Sequence, residues 1–190
     1  GISIKDSEFI DIETYFENAN DDNYTLVETN SFIALVGNNV NATINEYPNF
    51  TFDSAYIGNK LSGIISENDA LTLKVYYKRN LTRLTFNSNE GELVESLSLK
   101  HGSTLSLPIP IKTGHSFLGW YIDDNFTTPF TENTVPIDGI TLIAKWQINQ
   151  YTISFVSNAE ITVTSITSNY NDVISAPSSP IRQGYTFVGW

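Results

Sequence analysis

The stretch Gly114-His115-Ser116-Phe117-Leu118-Gly119-Trp120 returns 70 positions later as Gly184-Tyr185-Thr186-Phe187-Val188-Gly189-Trp190. The shared template is Gly, a ring, a polar residue, Phe, an aliphatic residue, Gly and Trp. Agreement extends outward. Pro110 matches Pro180, and Phe86 matches Phe155 once a one-residue gap is allowed. A repeat of this length implies a tandem array of small modules, each with its own core. A chain of 190 residues has room for one ordinary domain or two to three small ones, and the repeat selects the second.

A hydrophobic content of 41% with 13% aromatics suffices for packed cores and excludes global disorder. The net charge is −11, with 5 basic against 12 acidic residues in 1–80, 4 against 7 in 81–149 and 1 against 2 in 150–190. No segment is basic, which argues against a nucleic-acid groove or an anionic membrane surface as partner. The acidity reads as solubility. Cysteine is absent, so disulfides, thiolate zinc sites and a Cys nucleophile are excluded. Absence of cysteine also fits export across a bacterial envelope. No apolar run reaches the roughly 18 residues of a spanning helix. No signal peptide is visible, which does not establish cytoplasmic residence.

The chain divides into a lead-in (1–9) and modules at 10–80, 81–149 and 150–190. From Ile10, apolar and polar residues alternate to Glu17, and Tyr24–Glu28 resumes the pattern after an Asn/Asp turn, predicting a hairpin. Short strands are expected at Phe50–Phe52 and Leu61–Ile65. Leu71–Arg79 is the clearest strand, with Leu71, Leu73, Val75 and Tyr77 on one face and Thr72, Lys74, Tyr76 and Lys78 on the other. The next module offers Thr82/Leu84/Phe86, then Leu93–Leu99, the aromatic strand Gly114–Ile122 and a closing strand Thr141–Gln147. The third module, from Tyr151, lacks equivalents of Tyr121–Trp146. A piece of about 40 residues has difficulty burying a core, so the natural protein is expected to continue past Trp190 with more repeats. The connectors Lys78–Leu81 and Gln147–Gln150 contain neither Pro nor Gly, predicting modules set end to end with restricted hinge motion.

Residues 84–146 resemble the Listeria–Bacteroides repeat, the B-repeat module of internalin-type bacterial surface proteins. The marks are Thr85-Phe86-Asn87 before a turn, a Pro-rich middle, Gly114-His115-Ser116-Phe117-Leu118-Gly119-Trp120-Tyr121 and the closing Ala144-Lys145-Trp146. His115 stands where the family usually has Tyr, and Glu90 lies in a turn that is usually Gly-Gly. Residues 151–190 match the first two thirds of the same repeat. Residues 10–80 resemble a mucin-binding-protein-like module through Ile12–Asn18, Tyr24–Glu28, Phe50–Asp53, Ser62–Ser66 and Leu73–Tyr77. The resemblance implies a β-rich α+β class: tandem small β-grasp (ubiquitin-like) modules in an elongated array. It also implies an exported protein at the bacterial cell surface, anchored outside this region.

Trp120, Trp146 and Trp190 suit sugar stacking, but Trp120 alternates with Leu118 and Ile122, which predicts one buried face. Gly114, Phe117, Gly119, Trp120 and Trp146, with Gly184, Phe187, Gly189 and Trp190, are therefore read as a structural signature, the glycines permitting close backbone approach. Tyr76 and Tyr121 lie opposite the apolar series and are the ligand-contact candidates. His101 and His115 lack carboxylates at ligand spacing, and no Gly-x-Ser-x-Gly elbow occurs. Asp21-Asp22 and Asp123-Asp124 fit no EF-hand loop and read as solvated turn acids. Lys74 and Lys145 are strand lysines of the kind used in isopeptide cross-links. No cofactor, metal or catalytic residue is expected. The leading reading is a non-enzymatic stalk or spacer in adhesion. The alternatives are modules that themselves bind host mucin, glycan or surface proteins, and an accessory region of a larger secreted enzyme.

Overall fold

Alternating side chains set the first sheet. In the computed structural model, which describes residues 6–190, strand β1 (Ser7–Glu17) pairs antiparallel with β2 (Tyr24–Leu35). Residues 1–5 of the expected lead-in lie outside the described residues. The hairpin turn is closed by short polar groups, with Asp21 Oδ1 accepting from Asn18 Nδ2 and from the Asn23 N–H, both at 2.8 Å. Strands β3 (Asn39–Asn41), β4 (Phe50–Phe52), β5 (Ser62–Ile64) and β6 (Leu71–Arg79) follow. β6 runs parallel to β1, from Ile10↔Leu71 to Phe16↔Tyr77, and antiparallel to β4. The strand order is β2-β1-β6-β4.

One face of this sheet carries the core. Ile10, Ile65, Leu71 and Leu73 form a buried cluster, with Ile12, Ala34, Val36, Val40 and Ala42 packed against it. Full burial of each such aliphatic contributes about 1.5–3 kcal/mol. Parallel neighbours need a long crossover, usually a helix. The expected α+β class fails here, because there is no helix among the described residues. Between β2 and β6 the chain is rich in Asn and holds Pro48, and Asn49 and Asn68 take left-handed φ values of 66° and 59°. These residues form helices poorly. The crossover instead carries the antiparallel pair β3–β5, with β4 between them in sequence.

Strands β7 (Leu81–Asn87), β8 (Leu97–Lys100), β9 (His115–Tyr121) and β10 (Ile140–Ile148) form a second sheet of order β8-β7-β10-β9. It matches the first in placing its first and last strands at the centre. Thr82, Leu84 and Phe86 are buried along β7, as are Leu142 and Ala144 along β10. β8 is shorter than the alternation predicts, and Leu93 stands exposed. Strands β11 (Gln150–Ile153) and β12 (Ile166–Asn169) pair alone.

Two compact units emerge from the packing. One holds residues up to Thr85 with Ser96–Ser106 and Thr131–Ile140, the other Phe86–Glu95, Leu107–Phe130 and Thr141–Trp190. The division runs inside 81–149 and not at the connectors. Each connector is short: Asn80 alone separates β6 from β7, and Asn149 alone separates β10 from β11.

Candidate functional site

Asn80 and Asn149 sit 69 positions apart and make the same three hydrogen bonds. The Asn80 N–H donates to Asn49 O at 2.9 Å, and the Asn149 N–H to Gly114 O at 2.9 Å. Their carbonyls accept from the N–H of His101 at 3.2 Å and of Tyr170 at 2.7 Å, again 69 positions apart. Their Oδ1 atoms accept the Thr51 hydroxyl at 2.7 Å and the Ser116 hydroxyl at 2.6 Å. Asn49 and Gly114 share left-handed backbone, at φ 66° and 70°. A ring meets a ring beside each: His101 edge-on to Phe50 at 5.2 Å, Tyr170 edge-on to His115 at 6.5 Å. A one-residue connector with both backbone groups and its side chain satisfied has little freedom to pivot.

The first junction also carries charge. Arg79 Nε donates to Glu17 O at 3.1 Å, and its guanidinium lies 3.3 Å from His101 Nε2. Guanidinium has no acceptor, so Nε2 accepts and the ring proton sits on Nδ1, 3.1 Å from Asn80 O. Glu17, buried at 9% exposure, accepts the Arg79 N–H through Oε1 at 3.2 Å and faces Lys100 Nζ through Oε2 at 3.3 Å. Lys100 also reaches Asp22 at 2.9 Å. Burial pulls the Lys100 ammonium down, but its hydrogen bonds to Asp22 and Glu17 outweigh burial and leave it above the ordinary lysine value.

The sheet face opposite the first core holds four tyrosines. Tyr15 stacks on Tyr76 at 4.5 Å and 10°, Tyr56 lies 4.5 Å from Tyr76, and Tyr24 meets Tyr76 edge-on at 5.1 Å. Tyr76 lies opposite the apolar series, but this cover leaves only 9% of it exposed, so the contact candidate itself is buried. The half-buried rings around it, Tyr15, Tyr24 and Tyr56, were missed in the sequence reading. The signal was there, since Tyr15 faces Tyr76 once β1 and β6 are paired in parallel. Tyr24 donates to Asp53 at 2.8 Å, Lys78 lies 3.6 Å from the same carboxylate, and Tyr15 donates to Glu13. The hydrogen bond to Glu13, then burial, pushes Tyr15 up to about 12. Burial, then the bond to Asp53, raises Tyr24 further. Tyr121, the other contact candidate, is half-buried between Phe126 at 5.7 Å and the Lys145 ammonium at 4.8 Å.

The tryptophans anchor backbone carbonyls. Trp120, 4% exposed, donates to Pro108 O at 2.8 Å and packs against Phe86 at 4.9 Å and Phe117 at 5.4 Å. Trp146 donates to Ser88 O at 2.8 Å and meets Phe117 at 5.4 Å. The expected sharing of a face by Leu118, Trp120 and Ile122 fails, with Leu118 48% and Ile122 45% exposed. A bulge displaces Leu118: Lys145 pairs with Gly119 and Trp146 with Phe117, leaving Leu118 unpaired, while Ile122 lies past the end of β9. Gly119, at φ 129°, makes the turn in the strand that puts Phe117 and Trp120 on one side.

The third module repeats this geometry. Trp190 donates to Pro177 O at 3.2 Å and packs on Phe155 at 4.9 Å and Phe187 at 5.2 Å, with Gly184 and Gly189 at φ 77° and 146°. Of the remaining candidates, Asp123 accepts from the Thr127 and Thr128 N–H groups, and the Thr127 bond lowers its pKa. Lys74 lies 5.8 Å over the Tyr15 ring. No acidic or histidine cluster with metal-holding geometry occurs among the described residues.

A family model for the Listeria-Bacteroides repeat domain matches residues 83–145 and 151–190, more than half of the chain. The chain belongs to the Listeria-Bacteroides repeat family. Curated relatives carry the same repeat. A protein of Evansella cellulosilytica named as a membrane protein is 40% identical over 129 residues, 66% of this chain and 19% of its own length. A second, from the same organism and named as a Gly-rich membrane protein, is 37% identical over 128 residues, 66% of this chain and 15% of its own length. Internalin H of Listeria monocytogenes is 36% identical over 83 residues, 43% of this chain and 15% of its own length. The chain thus spans under a fifth of each relative, and carries a Listeria-Bacteroides repeat region shared with an internalin and two proteins named for membranes. No helix among the described residues is long and apolar enough to cross a membrane.

Proposed function

We propose that this chain is a non-catalytic, extracellular spacer at a bacterial surface, built so that consecutive modules keep a fixed angle. The observation that supports it is the repeated junction, in which Asn80 and Asn149 each close three hydrogen bonds across a one-residue connector. A spacer needs reach and stiffness, and a connector of this kind supplies stiffness at each step. The names of the relatives support placement at a cell surface. The strand order common to both four-stranded sheets supports a β-grasp reading in which loops replace the helix. The stretch 10–80 then serves as a mucin-binding-protein-like first module.

The reading is tested by backbone relaxation on the whole chain. Residues 10–80 and 81–149 should tumble with one correlation time and one diffusion tensor. Independent tumbling of the two stretches would reject the stiff spacer.

A second reading has its own observation. Tyr15, Tyr24 and Tyr56 form a half-buried aromatic surface beside Glu13, Asp53 and Lys78. Flat rings flanked by acids and a lysine suit stacking and hydrogen bonding to a host mucin, glycan or surface protein. Binding to an immobilised glycan and mucin array, lost in Tyr24→Ala with unchanged thermal stability, would establish it.

A further inference from the structure

Lys60 and Lys74 stand directly opposite each other at the first sheet. The Lys60 N–H donates to Lys74 O and the Lys74 N–H to Lys60 O, both at 2.9 Å. Residues that exchange both hydrogen bonds in an antiparallel pair project their side chains to one face. Like charges placed in this way repel and cost stability. Abundance of cations does not explain the pair, because the chain holds 10 Lys plus Arg against 21 Asp plus Glu. Neither ammonium has an ion-pair partner among the described residues. Glu13, in register with Lys74 on β1, turns its carboxylate to the Tyr15 hydroxyl. Asp53 is taken by Tyr24 and Lys78.

The backbone around the pair is fixed. Asn59 accepts the Tyr76 N–H through Oδ1 at 3.0 Å and donates through Nδ2 to Asp53 O at 2.6 Å, which ties the residue before Lys60 to β6. Gly58 lies so close under the Tyr56 ring that a Cβ there would stand 2.4 Å from it. The Lys74 ammonium lies 5.8 Å from the Tyr15 ring centroid. Lys60 is exposed, and Lys74, Tyr15 and Tyr56 are half-buried. Two ammoniums without carboxylate partners thus border the tyrosine surface.

We propose that Lys60 and Lys74 are an anion-binding pair that makes this tyrosine surface selective for acidic saccharides. The proposal rests on the second reading above, in which the tyrosines take a glycan. A sugar carboxylate or sulfate ester lies between the two ammoniums and relieves their repulsion, and the sugar ring packs on Tyr15 and Tyr56. A net charge of −11 gives anions no general attraction to the chain, so the selectivity comes from this pair.

The test titrates the whole chain with three tetrasaccharides of one backbone. One carries uronic-acid carboxylates, one carries sulfate esters as well, and one has its carboxyls reduced to alcohols. Saturable binding of the acidic forms is expected, about tenfold tighter than that of the reduced form. Comparison of the two acidic forms distinguishes a sulfate from a carboxylate as the group held. Lys60→Gln and Lys74→Gln should each weaken binding of the acidic forms about fivefold, with thermal stability equal to or above that of the wild-type chain, because a like-charge pair is removed. Wild-type affinity in both variants overturns the proposal, as does equal binding of a tetraglutamate peptide. Equal binding of the acidic and reduced forms, lost in Tyr24→Ala, overturns it and leaves the glycan reading standing. Absence of binding by all three forms, with none to neutral glycans or mucin, overturns both.

Discussion

Tyr170 lies over Gly114, and a Cβ on Gly114 would overlap its ring. The glycine also has φ 70°, while Gly184, its counterpart one repeat later, has φ 77° and open space around it. The two positions separate backbone strain from crowding. Gly184→Ala should cost about 1–2 kcal/mol, the price of left-handed backbone for an L side chain. Gly114→Ala adds a clash at the junction and should cost about 1–3 kcal/mol more. Urea unfolding of both variants checks this, and equal losses would mean that Tyr170 moves aside freely.

Replacing Asn80 tests the connector. Asn80→Ala removes the acceptor for the Thr51 hydroxyl and should cost about 0.5–1.5 kcal/mol. Asn80→Pro removes the donor to Asn49 O and should cost more, about 3 kcal/mol. Both variants should broaden the range of orientations seen in residual dipolar couplings from residues 10–80 and 83–146.

The two carboxylates at Lys100 are unequal. The Glu17 side chain is 11% exposed and that of Asp22 is 98% exposed. Asp22→Asn should change stability by less than about 1 kcal/mol and lose even that in high salt. Glu17→Gln should cost about 1–3 kcal/mol, because a buried charged acceptor for Arg79 and Lys100 is lost. A salt series of thermal melts distinguishes the two.

Trp120 and Trp190 occupy the same place in successive repeats at different burial. Trp120→Ala should cost about 3–5 kcal/mol. Trp190→Ala, starting from 46% exposure, should cost far less, about 1 kcal/mol. Comparable losses would show that the third module is packed as tightly as the second.

Tyrosine titration gives the alkaline limit. Tyr15 is raised from 10.0 to about 12 in the folded chain. The unfolded chain gives up this proton first, so the stabilisation is complete below pH 10.0 and is lost as pH rises toward about 12. Tyr15→Phe should flatten the stability curve across that window. Tyrosinate absorbance should rise later in the folded wild-type chain than in urea.

The strands were legible wherever one face is buried and the other wet. β6 and β7 alternate cleanly, and their faces could be read residue by residue. Bulges were not legible, since nothing in Leu118-Gly119-Trp120-Tyr121 announces that the period of two breaks at Gly119. The alternation therefore places Leu118 beside Trp120 where the bulge moves it away, and it carries Ile122 into a strand that ends at Tyr121. The tyrosine cluster was half visible: Tyr76 was placed on the correct face, but its cover comes from Tyr15, Tyr24 and Tyr56, brought together by a parallel pairing that a local pattern does not encode. Asn80 and Asn149 carried a signal that was passed over, an asparagine at one fixed offset in two connectors. The Asn-rich crossover between β2 and β6 disfavours a helix by composition, but the family resemblance drew the expectation the other way.

The parallel pairing of β1 with β6 has a mechanical consequence. The chain enters the first module at the start of β1 and leaves it at the end of β6, and the two strands lie side by side from Ile10↔Leu71 to Phe16↔Tyr77. Tension on the two ends therefore drags the strands past each other along their length. Every hydrogen bond between them then resists at once, where a hairpin pulled from its open end would give them up one by one. The topology thus sets this module against a pull on its two ends in shear.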